Sequence, residues 1–179
     1  MGAWPEGLRT GLTHFGPLSP LGGINTELVQ NVGWGWNSTF TVLSTNARFF
    51  PFVMTDNFVP YNVSLMTGPT TVAGAWTIAI VNEAGVRQCT TAATTAVVNT
   101  YQTATFTTTP LLPPGSYYVG WQNSTASGTY ICTGTQTIPK MRSMGCRSAA
   151  SALGVTNTLV ACSDLTQIPL MVLTGLVNT

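Results

Sequence analysis

From about Phe40 onward, short runs in which every second residue is apolar recur between turn signals. That period-two pattern restricts the chain to strands whose two faces meet different surroundings. In the clearest run, Tyr117, Val119 and Trp121 alternate with Tyr118, Gly120 and Gln122. Gln102, Ala104 and Phe106 alternate with Thr103, Thr105 and Thr107, and Trp76, Ile78 and Ile80 point one way. Tyr61, Val63 and Leu65 share a face opposite Asn62 and Ser64, in a strand closed by Gly68-Pro69. Asn82-Glu83-Ala84-Gly85 reads as a hairpin turn in which Gly85 takes positive φ, with the partner strand starting near Val86. Pro113-Pro114-Gly115 is a second turn. Later strand candidates are Thr129 to Thr133, Thr158 to Cys162 and Ile168 to Thr174, where Pro169 imposes an edge position or a late start. One short helix is expected, around Ser148 to Leu153, with Gly154 as its cap. The fold class that follows is all-β, an antiparallel β-sandwich.

Composition narrows the function. Lys, Arg, Asp and Glu make up 6% of the 179 residues, and threonine alone outnumbers them. Soluble domains typically carry about 25% charged residues. Here the surface must be wetted by hydroxyls, amides and backbone, and Thr favours strands. A formal net charge of +1 leaves little repulsion between copies, which suits a repeating assembly. An apolar content of 44% excludes a disordered tail.

Residues 1–36 differ from the rest. Glycine and proline are dense there, as in Trp4-Pro5-Glu6-Gly7, Gly16-Pro17, Ser19-Pro20 and Gly22-Gly23, and no alternating run appears. This stretch reads as an extended N-terminal arm, followed by a sandwich domain over residues 37–179. The arm still holds Trp4, Phe15, Leu18, Leu21, Ile24, Trp34 and Trp36, more apolar surface than a solvated linker needs. Docking on a neighbouring subunit and packing back on the same chain both account for them. The start lacks a basic n-region followed by an apolar h-region, so secretion by a signal peptide is not expected. The best apolar stretch, Ile168 to Val177, is short and contains Pro169, so membrane insertion is not expected either.

The run from about Phe50 to Trp121 has the order strand, Gly-Pro turn, Trp-x-Ile-x-Ile strand, Asn-x-x-Gly turn, Thr-rich stretch and then Leu-x-Pro-Pro-Gly-x-Tyr-Tyr-Val-x-Trp. On Leu112, Pro114, Gly115, Tyr117, Tyr118 and Trp121, it resembles the jelly-roll-like β-sandwich of tailed-bacteriophage virion appendages, the tail fibres, head fibres and decoration proteins. The resemblance reaches neither the arm nor the region from Pro139 onward, and it assigns no functional residue. It implies a virion structural protein that associates with other copies of itself, as a trimer by preference, and with other virion proteins. Carbohydrate-binding β-sandwiches share the pattern, which makes a lectin-like module the alternative and a host-surface glycan a further partner.

Candidate chemistry is sparse. His14 is the one imidazole and lies in the arm, and Glu6, Glu27, Asp56, Glu83 and Asp164 form no local pair of the kind glycosidases use. No nucleophile elbow, phosphate loop or dinucleotide fingerprint occurs. No enzyme activity and no cofactor are expected. Cys89, Cys132, Cys146 and Cys162 allow two disulfides but lack the Cys-x-x-Cys spacing of a metal knuckle, and buried thiols are the expectation. Lys140, Arg142 and Arg147 form a small basic contact patch, too few charges for nucleic-acid binding. Asn37, Asn62 and Asn123 fit the N-glycosylation pattern, a chance match in so Thr-rich a chain. Tyr118, Trp121 and Tyr130 are the candidates for stacking on a sugar ring; by alternation, Tyr118 and Trp121 take opposite faces.

Overall fold

The structure is a computed structural model. It describes residues 8–11, 38–41, 46–54, 56–69, 74–125, 129–132, 137–164, 166–169 and 171–178. The arm residues Trp4, Phe15, Leu18, Leu21, Ile24, Trp34 and Trp36 lie outside the described residues, as do Glu6, His14, Glu27 and Asn37.

Two antiparallel sheets pack face to face. The smaller has the order β1 (Leu8–Gly11), β13 (Met171–Asn178), β4 (Asn57–Met66), β8 (Tyr101–Thr105). The larger has the order β12 (Val160–Ala161), β11 (Arg147–Ser148), β3 (Arg48–Met54), β9 (Gly115–Asn123), β5 (Ala75–Asn82), β6 (Arg87–Thr90), with β7 (Thr94–Thr95) also on β5. A separate ribbon joins β2 (Ser38–Thr41) to β10 (Thr129–Cys132). Passing from β3 to β4, β4 to β5, β6 to β8, β8 to β9 and β9 to β13, the chain changes sheet each time. This double Greek key is the wiring of a jelly roll. One side is closed by the bridge Thr91↔Phe106, where Thr107 N donates to Thr90 O at 2.8 Å. Within the arm, four residues form β1 and pair with β13 of the same chain, Leu8 opposite Asn178 and Gly11 opposite Gly175, where the sequence pattern gave no strand.

The alternation selects the core. Phe50 and Phe52 on β3, Val63 and Leu65 on β4, Trp76, Ile78 and Ile80 on β5, Tyr117, Val119 and Trp121 on β9, and Met171 and Leu173 on β13 all meet between the sheets. The hairpin between β5 and β6 closes as expected: Gly85 has φ +78°, its N–H reaches Asn82 O at 2.9 Å, and Asn82 Oδ1 accepts from Val86 N.

Two expectations are corrected. Tyr61 does not share the face of Val63 and Leu65; it is 38% exposed. Thr174 pairs with Asn62 and Gly175 with Pro60, so Tyr61 is the extra residue of a β-bulge and the alternation changes phase there. The helix is not at Ser148–Leu153 but at α1 (Ile138–Ser143). Thr137 caps it with Pro139 in the first turn, and Cys146 N→Met141 O and Gly145 N→Arg142 O close it around Gly145 at φ +82°. Residues 147–148 are instead β11, and Ala47 exchanges strand-like bonds with the following segment: Ala149 N donates to Ala47 O and Ala47 N to Ser151 O. Of the two readings for the last strand, the structure has the late start: β13 begins after Pro169, at Met171, and lies between β1 and β4.

A second core, not expected from the sequence, covers the outer face of the larger sheet. Ala47, Phe49, Ala79, Val81 and Ala149 are buried there, with Tyr118, Leu153 and Leu159 packed against them. Gly120 has no side chain to obstruct this layer; a Cβ there would lie 2.8 Å from both Leu153 and Phe49. The covering flap, residues 149–159, is held by Leu153 N→Gln122 Oε1, Arg87 N→Val155 O, and Asn157, whose backbone and side-chain N–H groups both reach Gly85 O.

Candidate functional site

Neither Trp121 nor Tyr130 offers a sugar an open ring face. Trp121 and Tyr130 are both fully buried and pack edge to face, with ring centroids 4.9 Å apart. Tyr130 Oη donates to Asn123 Oδ1 at 2.9 Å, so even its polar end is consumed inside the fold. Tyr118 points to the opposite face, as alternation required, and is half-buried among the second core. Stacking on a sugar is therefore corrected for Trp121 and Tyr130: their rings stabilise the fold, because large apolar planes gain most from burial. Asn123 is 1% exposed, which removes it as a glycosylation acceptor, while Asn62 stays half-exposed on β4.

The basic patch is divided. Lys140 and Arg142 are exposed on α1, but Arg142 Nε donates to Cys162 O at 2.6 Å; Arg147 is half-buried on β11. The charge that matters most structurally was not singled out in the sequence. Arg48 is 2% exposed, and its guanidinium bonds Asp164 Oδ2 at 3.0 Å and Asn46 O at 3.2 Å. Ser148 Oγ donates to the other oxygen of Asp164, so the carboxylate fastens β3 and β11 to the chain after β12. Its sequence signal was a lone Arg heading the apolar run Arg48-Phe-Phe-Pro-Phe-Val-Met54. Among the described residues, Asp56 and Glu83 are exposed, and no three His, Cys, Asp or Glu side chains come together as a metal site.

All four cysteines are buried thiols. Burial pushes the Cys89 thiol up to about 12 from 9.0, against a smaller lowering by its hydrogen bond with the Ile80 backbone. Burial also takes Cys146 to about 12, with neighbouring Cys162 adding to the rise and Arg147 opposing it. Burial raises Tyr130 above its ordinary 10.0. In each case the fold prefers the neutral form, so the stability they contribute is complete below the unfolded value and is lost as pH climbs through the folded one. The urea midpoint is expected to hold steady from pH 6 to about 8.5 and to fall progressively above about pH 9. Denaturation curves across that range test this, and Cys89→Ala should flatten part of the decline.

The surface with a distinctive chemistry is the outer face of the smaller sheet. Register places Val172, Ser64 and Thr103 in one row and Thr174, Asn62 and Thr105 in the next, with Met66 beside Tyr101. Ser64 Oγ and Thr103 Oγ1 lie 2.7 Å apart, and Thr174 Oγ1 donates to Asn62 O. Thr103 and Thr105 are exposed, and Tyr101 is 53% exposed. These rows hold hydroxyls, amides, methyls and one phenol, with no charged side chain. The alternating threonines at 103 and 105 were the legible half of this face; Val172 and Thr174 join it only through pairing. Comparison of the chain with family models, curated proteins and solved structures finds no match.

Proposed function

We propose that this chain is a structural subunit of a tailed-phage virion appendage, a fibre or decoration protein, that associates with other copies of itself through the outer face of its smaller sheet. The observation that carries the reading is the absence of charge from the rows built on β13, β4 and β8. Burying such a face removes few ions from water, and the exposed Tyr101 at its end supplies aromatic area of the kind interfaces concentrate. The jelly-roll wiring supports the reading by analogy, since viral capsid and lectin domains both use it. The segment Leu112 to Trp121 that carries the phage resemblance forms the entry to β9 and the strand itself. It therefore speaks for the fold and leaves function to the surface. The lectin-like alternative loses its carrier once Trp121 and Tyr130 are in the core.

Light scattering across a concentration series is expected to give a closed oligomer for the full chain. Tyr101→Glu combined with Thr105→Glu places like charges on the face in every copy, and is expected to weaken association at least tenfold while leaving the thermal melt of the monomer within a few degrees. A monomer at every concentration would sink the self-assembly reading. An oligomer indifferent to the double substitution would move the interface to another surface.

A further inference from the structure

The ladder between β11 and β12 is only two residues long, with Arg147 opposite Ala161 and Ser148 opposite Val160. It nevertheless anchors the last strand of the larger sheet and the far end of the flap that covers the second core. Val160 and Ala161 are exposed, so little burial holds this corner. Continuing the antiparallel register by one residue sets Cys146 opposite Cys162. Both are fully buried members of the same apolar cluster.

Their placement has independent causes on each side. The turn around Gly145 that ends α1 directs Cys146 inward, with its N–H bonded to Met141 O at 3.1 Å. The Arg142 guanidinium holds the Cys162 carbonyl from the same helix. The two thiols are close enough to influence each other electrostatically. Directly opposed residues of an antiparallel pair have Cα atoms about 4.5–5.5 Å apart, inside the window of about 4.4–6.8 Å that a disulfide requires.

We propose that Cys146 and Cys162 are a cross-strand disulfide site, thiols in a reducing compartment and a covalent staple in an oxidising one. This inference is independent of the assembly reading. The oxidant is a small-molecule disulfide such as oxidised glutathione. One cysteine thiolate attacks it, forming a mixed disulfide and releasing one glutathione thiolate; the second cysteine thiolate then attacks the protein sulfur and releases the other. Two protons leave the cysteines, and two electrons reduce one glutathione disulfide to two thiols. The staple closes the loop 147–161, which contains the whole flap with Leu153 and Leu159, and shortens the excursions available to the unfolded chain.

The test is refolding of the full-length chain from urea in a glutathione redox buffer, where access to buried sulfur is not limiting. The expected product is lighter by two hydrogens, yields one linked peptide pair carrying Cys146 and Cys162, and melts about 5 °C higher than the same protein after reduction. Cys146→Ser and Cys162→Ser should each abolish the mass loss and the shift, while Cys89→Ser leaves both. Four unlinked cysteines, or a link from either residue to Cys89 or Cys132, would overturn the proposal.

Discussion

Replacing Gly175 with alanine is expected to destabilise the folded chain by about 3 kcal/mol, the upper end of what overpacking a core usually costs. Gly175 sits on β13 opposite Pro60, beside the bulge at Tyr61. A Cβ there would stand 2.3 Å from Val59 O and 2.4 Å from Phe58 Cζ. The first is a backbone atom within a paired strand, and the second belongs to a ring with no exposed surface. Neither can retreat without moving the sheet or the core. For a domain of this size the loss corresponds to a fall in melting temperature of about 6–12 °C. Gly115→Ala is the control, because its Cβ would meet only the Tyr117 ring at 3.6 Å, an ordinary contact. That variant should melt within about 0.5 kcal/mol of the parent. If the two variants behave alike in urea, Gly175 does not face the bulge.

Trp121→Ala is expected to cost more, about 3–5 kcal/mol, the range for emptying a buried aromatic site. Trp121 contacts Tyr130 edge to face, pairs with Arg48 on β3 on one side and with Ile78 on β5 on the other, and has no exposed surface. Removing it leaves a void at the centre of the larger sheet and deprives Tyr130 of the plane that positions its hydroxyl on Asn123. The urea midpoint should fall steeply. A ring serving an exposed glycan site would do the opposite: its removal would abolish binding and barely move the midpoint.

The strand pattern was legible where a single rule held along a run. Trp76, Ile78 and Ile80, Ala104 and Phe106, and Tyr117, Val119 and Trp121 all turned inward together because no irregularity interrupts their alternation. Tyr61 was misassigned because the bulge that shifts its phase is set by a partner strand far away in sequence. The second core escaped notice for a related reason. Ala79 and Val81 fall on the face that alternation gives to solvent, and only the returning flap covers them. The helix was announced by Thr137, Pro139 and Gly145, but the apolar stripe that usually betrays a helix shrinks in so short a segment to one buried residue, Met141. The aromatic trio shows the limit on the functional side. Composition reveals that rings are present, but whether a ring meets water depends on the sheet packed over it.

The position of β13 has a consequence for how the chain acquires its shape. Its partner β4 is complete early in the sequence, yet the bond between Thr174 and Asn62 spans 112 positions, and β1 also waits for the same late strand. Contacts of such long range make folding slow, since loop-closure entropy is lost before pairing compensates for it. During synthesis, β4 emerges with one edge that nothing yet made can cover, and an open edge is what another nascent copy can pair with. For a chain with so little charge to keep copies apart, the interval before Met171 to Asn178 is translated is the window in which correct folding competes with aggregation.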